Sequence, residues 1–265
     1  MGLSIIILAA GQGTRMRSEL PKVLQPLAGE PLLGHVLNTA EELEADDVCV
    51  VHGHGAEAVR QRFADRTLRW VLQAEQLGTG HAVQLAVPGT PADNEVLVLF
   101  GDVPLLQAKT LRRLLEETPS GDVAVLTVEL DDPTGYGRIV RRGDTVAGIV
   151  EEKDASEAER AIDEINTGVM VCSAAGLAGW LDNLGNDNAQ GEYYLTDVVS
   201  MAVADGVRVH GIRAENGTEV MGINDKKQLA EAERRQRAVA SSDGDIQKRI
   251  DRASVSYTHL RAHET

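Results

Sequence analysis

The sequence predicts an α/β fold in which a mostly parallel, mixed sheet carries helices on both faces. In the first half of the chain, short β-branched and aliphatic runs alternate with segments whose apolar residues recur at helical spacing. This alternation is typical of β-α-β units, which build parallel sheets covered on both sides. In the second half, short strands follow one another through Gly- and Asp-rich turns, which predicts a mixed part of the same sheet.

The predicted elements of the first half follow from this periodicity. Ile5, Ile6 and Ile7 belong to a continuous apolar run, as a strand buried on both faces requires. Leu8, Leu72 and Phe100 end three of the strands, so we expect them at one edge of the sheet, where ligands bind. In chain order we predict strands at 5–8, 48–51, 70–72 and 95–100, and helices at 31–43, 56–63, 79–87 and 110–117.

The second half is predicted in the same way, with less regular alternation. Its strands are short and β-branched, and its last helix is rich in Arg and Glu, which is typical of a solvated face. In chain order we predict strands at 123–130, 136–140, 146–150, 165–172 and 207–212, and helices at 174–184, 194–204 and 225–239.

Composition excludes several classes of protein. The chain has 265 residues, of which 43% are hydrophobic, enough for a packed core in one large or two small domains. Its formal net charge of −15 argues against coating nucleic acid or a membrane, because both partners need a basic surface. Two cysteines, Cys49 and Cys172, are too few for a disulfide framework. With no signal peptide and no apolar run of membrane length, we expect a cytoplasmic protein.

The loop after the first strand has the residues of a phosphate site. Gly11 and Gly13 allow neighbouring backbone N–H groups to form a concave row that binds anions. Arg15 and Lys22 add two cations beside it. Met16 holds the place of the third glycine of a dinucleotide fingerprint, and the chain has no Gly-Lys-Ser/Thr for a Walker A loop. A plain strand-to-helix turn is the alternative.

Two other strand ends carry polar candidates. Asp102 follows the strand at 95–100, where a carboxylate suits Mg²⁺ bound beside substrate phosphates, although an Asp there also caps turns. Gln73 has a donor and an acceptor on one planar amide, as the imide edge of uracil requires. Gly78 and Thr79 follow and complete such a base site, or Thr79 is simply a helix N-cap.

Further polar residues leave alternatives open. Glu151 and Asn166 are suited to hydrogen bonds with sugar hydroxyls or an N-acetyl group, but solvated strand ends use the same residues. His52 and His54 suggest a metal site, yet no third ligand lies nearby in the sequence, which favours a loop.

Taken together, six segments carry a family resemblance: 8–16, 20–24, 73–81, 101–105, 126–139 and 190–197. Over residues 3–240 the chain resembles the uridylyltransferase domain of the bacterial bifunctional N-acetylglucosamine-1-phosphate uridyltransferase/glucosamine-1-phosphate N-acetyltransferase. The resemblance implies a Rossmann-like nucleotidyltransferase fold of the glycosyltransferase A type. It also implies a Mg²⁺-dependent in-line transfer of UMP from UTP to N-acetylglucosamine 1-phosphate, which supplies UDP-N-acetylglucosamine and releases pyrophosphate. That product serves peptidoglycan and lipopolysaccharide synthesis, and hence cell wall biogenesis and cell shape.

The resemblance implies roles for individual residues. It implies that the nucleotide is contacted by Leu8, Ala9, Ala10, Gly11, Lys22, Gln73, Gly78 and Thr79, and that Phe100, Gly101 and Asp102 line the site. It implies that the sugar is bound by Gly137, Glu151, Asn166 and Asn224. The implied ligands of Mg²⁺ are Asp102 and Asn224. From charge we add that the backbone of Gly11, Gln12, Gly13 and Thr14, with Arg15, holds the leaving phosphates. Arg15, Lys22 and Asp102 are therefore the expected catalytic residues.

The chain departs from the family in two side chains and in extent. Gln12 stands where several relatives have Lys, and Phe100 stands where Tyr is common. The family's left-handed β-helix domain, which carries the acetyltransferase and builds the homotrimer of the full-length protein, is not in this sequence, so we expect no acetyltransferase activity. We divide the chain into a transferase domain at 1–224, a linking helix at 225–253 and a tail at 254–265.

The tail differs in composition from the rest of the chain and resembles vector sequence, so we expect it not to be native to the protein. A metal pair at His259 and His263 is the alternative. Two other functions compete with uridylyl transfer: transfer with another base or sugar, and binding of a sugar nucleotide without turnover.

Overall fold

The computed structural model describes residues 2–237. The end of the predicted linking helix, the tail at 254–265 and its pair His259 and His263 lie outside the described residues. The strands are β1 Leu3–Ala9, β2 Pro26–Leu27, β3 Glu30–Pro31, β4 Asp47–His52, β5 Arg69–Leu72, β6 Glu95–Phe100, β7 Val123–Glu129, β8 Arg138–Arg142, β9 Thr145–Val150, β10 Glu164–Ser173 and β11 Val209–Arg213.

Eight helices join these strands in the described part of the chain. They are α1 Leu32–Glu41, α2 Ala56–Arg62, α3 Thr79–Ala86, α4 Ala108–Glu116, α5 Glu157–Arg160, α6 Ala174–Leu181, α7 Asp197–Ala204, and α8, whose described backbone is helical over 226–237. None of them is long and apolar enough to cross a membrane.

The main sheet has nine strands and is mostly parallel. Its strand order is β11-β7-β10-β6-β1-β4-β5, with the β8–β9 hairpin attached to β10. Strands β1, β4, β5, β6, β7 and β11 run in one direction. Strand β10 runs antiparallel to its neighbours β6 and β7. The predicted α/β fold with a mostly parallel, mixed sheet is confirmed.

Two apolar cores lie on opposite faces of this sheet. Because successive side chains of a strand point to opposite faces, β1 contributes to both cores. Ile5 and Ile7 are fully buried in the core that also holds residues of α1, α2 and α4. Ile6 is fully buried in the core that holds residues of α3, α6 and α7. The helices therefore cover both faces, and the carboxyl ends of the central strands stay open.

The structure differs from the prediction at several element boundaries. The helix predicted at 194–204 begins only at Asp197, because the backbone of Tyr193 and Leu195 bonds to Leu77 and to the first turn of α3. The strand predicted at 136–140 begins at Arg138, since Tyr136 closes a turn by donating its backbone N–H to the Pro133 carbonyl. The helix predicted at 174–184 ends at Leu181, and the small β2–β3 ladder and α5 were not predicted.

An irregularity in β10 shapes the open edge. The register of β10 shifts between Asn166 and Met170, which is a β-bulge. Gly168 lies in this bulge with a φ of 86°, a left-handed conformation that favours glycine. A Cβ at Gly168 would lie 2.4 Å from the Phe100 ring, so the absence of a side chain lets β10 approach the end of β6.

Candidate active site

Two cavities lie side by side at the carboxyl edge of the sheet. The first has a volume of about 220 Å³ and the second about 210 Å³. Thr79 and Phe100 line both cavities, so the two are neighbours. Of the predicted nucleotide residues, those that line the first cavity are Leu8, Ala9, Ala10, Gly11, Lys22, Gln73, Gly78, Thr79 and Phe100, together with Asp102.

Gln73 lies deep in the first cavity with its amide fixed by the protein. Its side chain is only 3% exposed. Its Nε2 donates to the Gly78 carbonyl at 3.0 Å and contacts His81 Nδ1 at 3.2 Å. Because a carbonyl oxygen only accepts, the Gly78 contact identifies Nε2, and His81 Nδ1 is then an acceptor. Both amide hydrogens are engaged, so Oε1 remains as an acceptor for a ligand.

The glycine loop folds back onto Lys22. Gly13 has a φ of 61°, and a Cβ there would lie 2.4 Å from the Lys22 Cβ, so glycine is needed for this close approach. Gln12, Thr14 and Arg15 are exposed to solvent. The Gln12 amide donates to Gln76 Oε1 at 3.4 Å. Residues 12–15 do not line the first cavity, but Gln12 and Gly13 lie against Gln76 and Lys22, which do.

Lys22, Asp102 and Asn224 form one cluster, although they are far apart in sequence. The Lys22 ammonium donates to Asp102 Oδ2 and, at 2.7 Å, to Asn224 Oδ1. Asp102 follows β6 and Asn224 precedes α8, so sheet and helix together bring the two oxygens to one cation. The Ile223 N–H donates to the Asp102 carbonyl at 2.8 Å, which ties the two segments directly.

The donor set of this cluster fits a hard divalent cation. Asp102 and Asn224 offer two oxygens that converge on a positive group, and Mg²⁺ takes one or two protein oxygens beside substrate phosphates. Within residues 2–237, no group of three or more His, Cys, Asp or Glu residues could hold a metal by itself. The chemistry of the cluster therefore suits an ion that is shared between protein and substrate.

Tyr136 lines the second cavity. Its hydroxyl contacts Met221 Sδ at 3.7 Å. Burial raises the pKa of Tyr136, Asp102 raises it further, and Arg15 opposes them. The charges of Asp102 and Arg15 therefore both act on this phenol.

The second cavity brings the predicted sugar residues together. Gly137, Glu151 and Asn166 all line it, and the Asn166 backbone N–H donates to the Gly137 carbonyl at 2.8 Å. Asn224, which the prediction placed on the sugar as well as on the metal, lines neither cavity and lies in the Lys22 cluster. A Cβ at Gly137 would lie 3.4 Å from Glu151 Oε2, so this glycine lets the carboxylate lie close to the backbone.

Glu151 is an acid in an unfavourable environment for its charge. Burial raises its pKa, and the nearby carboxylates of Asp197, Asp154 and Glu192 raise it further. The Thr196 hydroxyl opposes them by donating to Glu151 Oε1 at 3.0 Å. A hydrogen bond donated to this carboxylate would stabilise its charged form, and sugar hydroxyls can donate such a bond.

Several residues of the site were not predicted individually. Gln76 and Glu192 line the first cavity, and Tyr136 and Thr196 line the second. All four lie within or next to segments that carry the family resemblance, which was the available signal. Gln228, whose Oε1 accepts from the Asn224 backbone N–H at 2.6 Å, had only a weak signal: a Gln three residues after an Asp at a helix start.

Comparison with known families shows to which family this chain belongs. The model of the MobA-like NTP transferase domain matches residues 5–191, which include the glycine loop, Asp102 and most of the residues that line the two cavities. The chain belongs to the MobA-like NTP transferase family. The family membership makes the chain a nucleotidyltransferase.

Curated relatives of this NTP transferase confirm the resemblance found in its motifs. It is 55% identical over 234 residues to "Bifunctional protein GlmU" of Acinetobacter baumannii (strain AYE), covering 88% of this chain and 52% of the relative. It is 59% identical over 235 residues to the protein of the same name from Pseudomonas fluorescens (strain Pf0-1), covering 88% and 51%. The chain thus spans about half the length of these relatives.

A solved structure supports the nucleotidyltransferase fold of this NTP transferase. A nucleotidyl transferase from Methanothermobacter superimposes with a TM-score of 0.64 at 22% identity, covering 88% of this chain and 97% of that one. At this identity the likeness concerns the fold alone.

Proposed function

We propose that this NTP transferase transfers UMP from UTP to N-acetylglucosamine 1-phosphate, giving UDP-N-acetylglucosamine and pyrophosphate. The observation that carries the proposal is that two cavities share Thr79 and Phe100, while the Lys22–Asp102 pair belongs to the wall of the first. A nucleoside triphosphate in the first cavity and a sugar phosphate in the second would meet beside this charged cluster. The identity to relatives named GlmU supports the same pair of substrates.

The fixed amide of Gln73 supports uracil as the base. Its Nε2 is engaged by Gly78 and His81, which leaves Oε1 to accept a hydrogen bond. Uracil has an N–H at the corresponding ring position, whereas cytosine has an acceptor there and would place two acceptors face to face. The site thereby favours UTP over CTP, because an unpaired buried acceptor is costly.

The lining of the second cavity supports an N-acetylated sugar. Glu151, Asn166 and the Gly137 backbone supply polar groups for hydroxyls and an amide. Five aliphatic side chains supply apolar surface that suits a methyl group. These are Val125, Ile149, Met170, Leu195 and Val199.

The proposed reaction needs charge neutralisation more than acid–base catalysis. A sugar 1-phosphate is already mostly a dianion at neutral pH, since its second pKa is about 6. It can attack the α-phosphate in line without a general base, if two mutually repelling phosphates are held together. Lys22, which lines the first cavity, would neutralise charge at the α-phosphate, and Arg15 with the amides of the glycine loop would hold the departing pyrophosphate.

We propose Mg²⁺ as the cofactor, held by Asp102 and Asn224. When bound, it would neutralise phosphate charge beside Lys22. The product would supply peptidoglycan and lipopolysaccharide synthesis in the cytoplasm, and so cell wall biogenesis and cell shape. The homotrimer expected of the full-length family member belongs to the same proposal.

A pyrophosphate-release assay with Mg²⁺ tests the function. UTP with N-acetylglucosamine 1-phosphate should be turned over, CTP should be nearly inactive, and dTTP should be intermediate because it shares the ring N–H of uracil. Glucose 1-phosphate serves as the sugar control. Preference for CTP or for glucose 1-phosphate would assign another base or sugar, and binding of UDP-N-acetylglucosamine without any turnover would favour a sensing role.

A further inference from the structure

The segment at 193–196 follows Glu192, which lines the first cavity, and contributes Leu195 and Thr196 to the second. Its backbone bonds to Leu77 and to the first turn of α3. The Tyr193 N–H donates to the Leu77 carbonyl at 2.8 Å, and the Tyr193 carbonyl accepts from the Gly80 N–H at 2.8 Å. The Leu195 N–H donates to Thr79 Oγ1 at 3.1 Å. This backbone is therefore held by the residues that flank the base site.

The next residue contacts the second cavity's acid. Thr196 Oγ1 donates to Glu151 Oε1 at 3.0 Å. Since Thr79 fixes the backbone of Leu195, it also restricts the position of the Thr196 hydroxyl, one residue further along the chain. We infer that Thr196 is a positioning residue that orients the Glu151 carboxylate for the sugar, and that the hydrogen bonds of segment 193–196 to Leu77, Thr79 and Gly80 hold Thr196 in place. The inference rests on the proposed function.

The charges around Glu151 make this hydrogen bond important. Asp197 on α7, Asp154 after β9 and Glu192 before the segment all face it with negative charge. The Asp154 carboxylate itself accepts from the Tyr194 hydroxyl at 3.3 Å, so the same segment organises two of these acids. The Thr196 hydroxyl opposes the rise in the pKa of Glu151 that burial and these neighbours cause. Without the Thr196 hydroxyl, the Glu151 carboxylate would be held less firmly, and its pKa would be higher.

Thr196→Val tests the inference, because valine keeps the shape and removes the hydroxyl. We expect the KM for N-acetylglucosamine 1-phosphate to rise about tenfold or more, as for a lost hydrogen bond to a charged group. The KM for UTP should stay within about twofold. The acidic limb of kcat/KM for the sugar phosphate should move to higher pH. Thr196→Ser keeps the hydroxyl and should restore both values.

A double-mutant cycle with Glu151→Gln separates positioning from direct contact. If Thr196 acts through Glu151, adding Thr196→Val to Glu151→Gln should change the KM for the sugar phosphate by less than about twofold. Independent, multiplying losses would overturn the inference, as would an equal rise in both KM values for Thr196→Val. Thermal melting of each variant checks folding.

Failure of the inference differs from failure of the proposed function. If the unmodified protein does not turn over UTP and N-acetylglucosamine 1-phosphate, the proposed function is wrong. If it does, but Thr196→Val behaves like wild type in KM and pH profile, only the positioning role is wrong.

Discussion

At the scale of single residues, Lys22 and Asp102 carry the most specific prediction. Their charges meet beside the first cavity, and Lys22 also donates to Asn224. We expect Lys22→Ala or Asp102→Ala to lower kcat by about 10²–10³-fold, equivalent to a barrier increase of about 3–4 kcal/mol, as when one charge-stabilising group is removed from an active site. Steady-state pyrophosphate release measures the change.

A matched control for these substitutions is an ion pair away from the cavities. Arg66 donates to Glu41 at 2.8 Å, and the Glu41 side chain is 64% exposed. Arg66→Ala also removes one partner of an ion pair, but neither residue lines a cavity of the site. Its kcat should equal that of the unmodified protein. Near-normal turnover by Lys22→Ala and Asp102→Ala would refute their assignment to the reaction.

Glu151 illustrates a conflict between stability and function. Burial raises its pKa above the ordinary value of 4.5, so the folded protein binds this proton more tightly than the unfolded chain. The cost of the ionised carboxylate is absent below the unfolded pKa and is fully present above the raised folded pKa. Glu151→Gln should therefore raise the melting temperature at neutral pH while weakening sugar binding.

Melting curves over a range of pH check this sign. The Glu151→Gln and unmodified proteins should converge below the unfolded pKa of 4.5 and separate as pH rises. Asp197, whose pKa burial and Asp154 also raise, retains its own pH dependence in both proteins. A melting temperature for Glu151→Gln below that of the unmodified protein at neutral pH would contradict the expectation.

At the scale of elements, the β-bulge of β10 positions both cavities through one glycine. Gly168 has a φ of 86°, and a Cβ there would meet the Phe100 ring at 2.4 Å. Gly168→Ala should cost about 1–3 kcal/mol of unfolding free energy. It should also alter the KM for both substrates, because Phe100 lines both cavities. Urea unfolding and substrate titrations measure the two effects.

Gly148 in β9 provides the matched control. A Cβ at Gly148 would find no heavy atom within 4 Å, and its backbone is in the ordinary extended region of a strand. Gly148→Ala should change the unfolding free energy by no more than about 0.5 kcal/mol. Equal stability of the two variants would show that Phe100 can move aside at no cost.

At the scale of the whole molecule, the fold and the proposed metal are held by different interactions. Two apolar cores cover the two faces of the sheet, whereas Asp102 and Asn224 lie at its carboxyl edge. Removal of divalent ions with EDTA should abolish nucleotidyl transfer and change the melting temperature by less than about 2 °C, which corresponds to at most about 1 kcal/mol for a chain of this size.

Addition of excess Mg²⁺ should restore the rate in full, which a coupled pyrophosphate assay and circular dichroism can follow in parallel. Unfolding on chelation would mean that a metal stabilises the fold. Full activity in EDTA would mean that Lys22 and Arg15 neutralise the phosphates without an ion.

Much of the fold was predictable because the relevant patterns are local. Strand and helix periodicity depends on neighbours within a few residues, and the alternation along the first half predicted every strand from β4 to β6 in the right place. Boundaries were wrong where distant parts intervene. Residues 194–196 continue the helical pattern of 197–204, but hydrogen bonds to Leu77 and to the first turn of α3 delay the start of α7.

The sequence by itself determined the α/β class, and it predicted a phosphate-binding glycine loop and the residue types of the site, since these depend on composition and short spacing. Only the tertiary structure decided that Lys22 meets Asp102, 80 residues away, and Asn224, 202 residues away. It also decided that Thr196 reaches Glu151. The physical reason is that strand order and helix packing, not sequence distance, determine which side chains share the edge of a sheet.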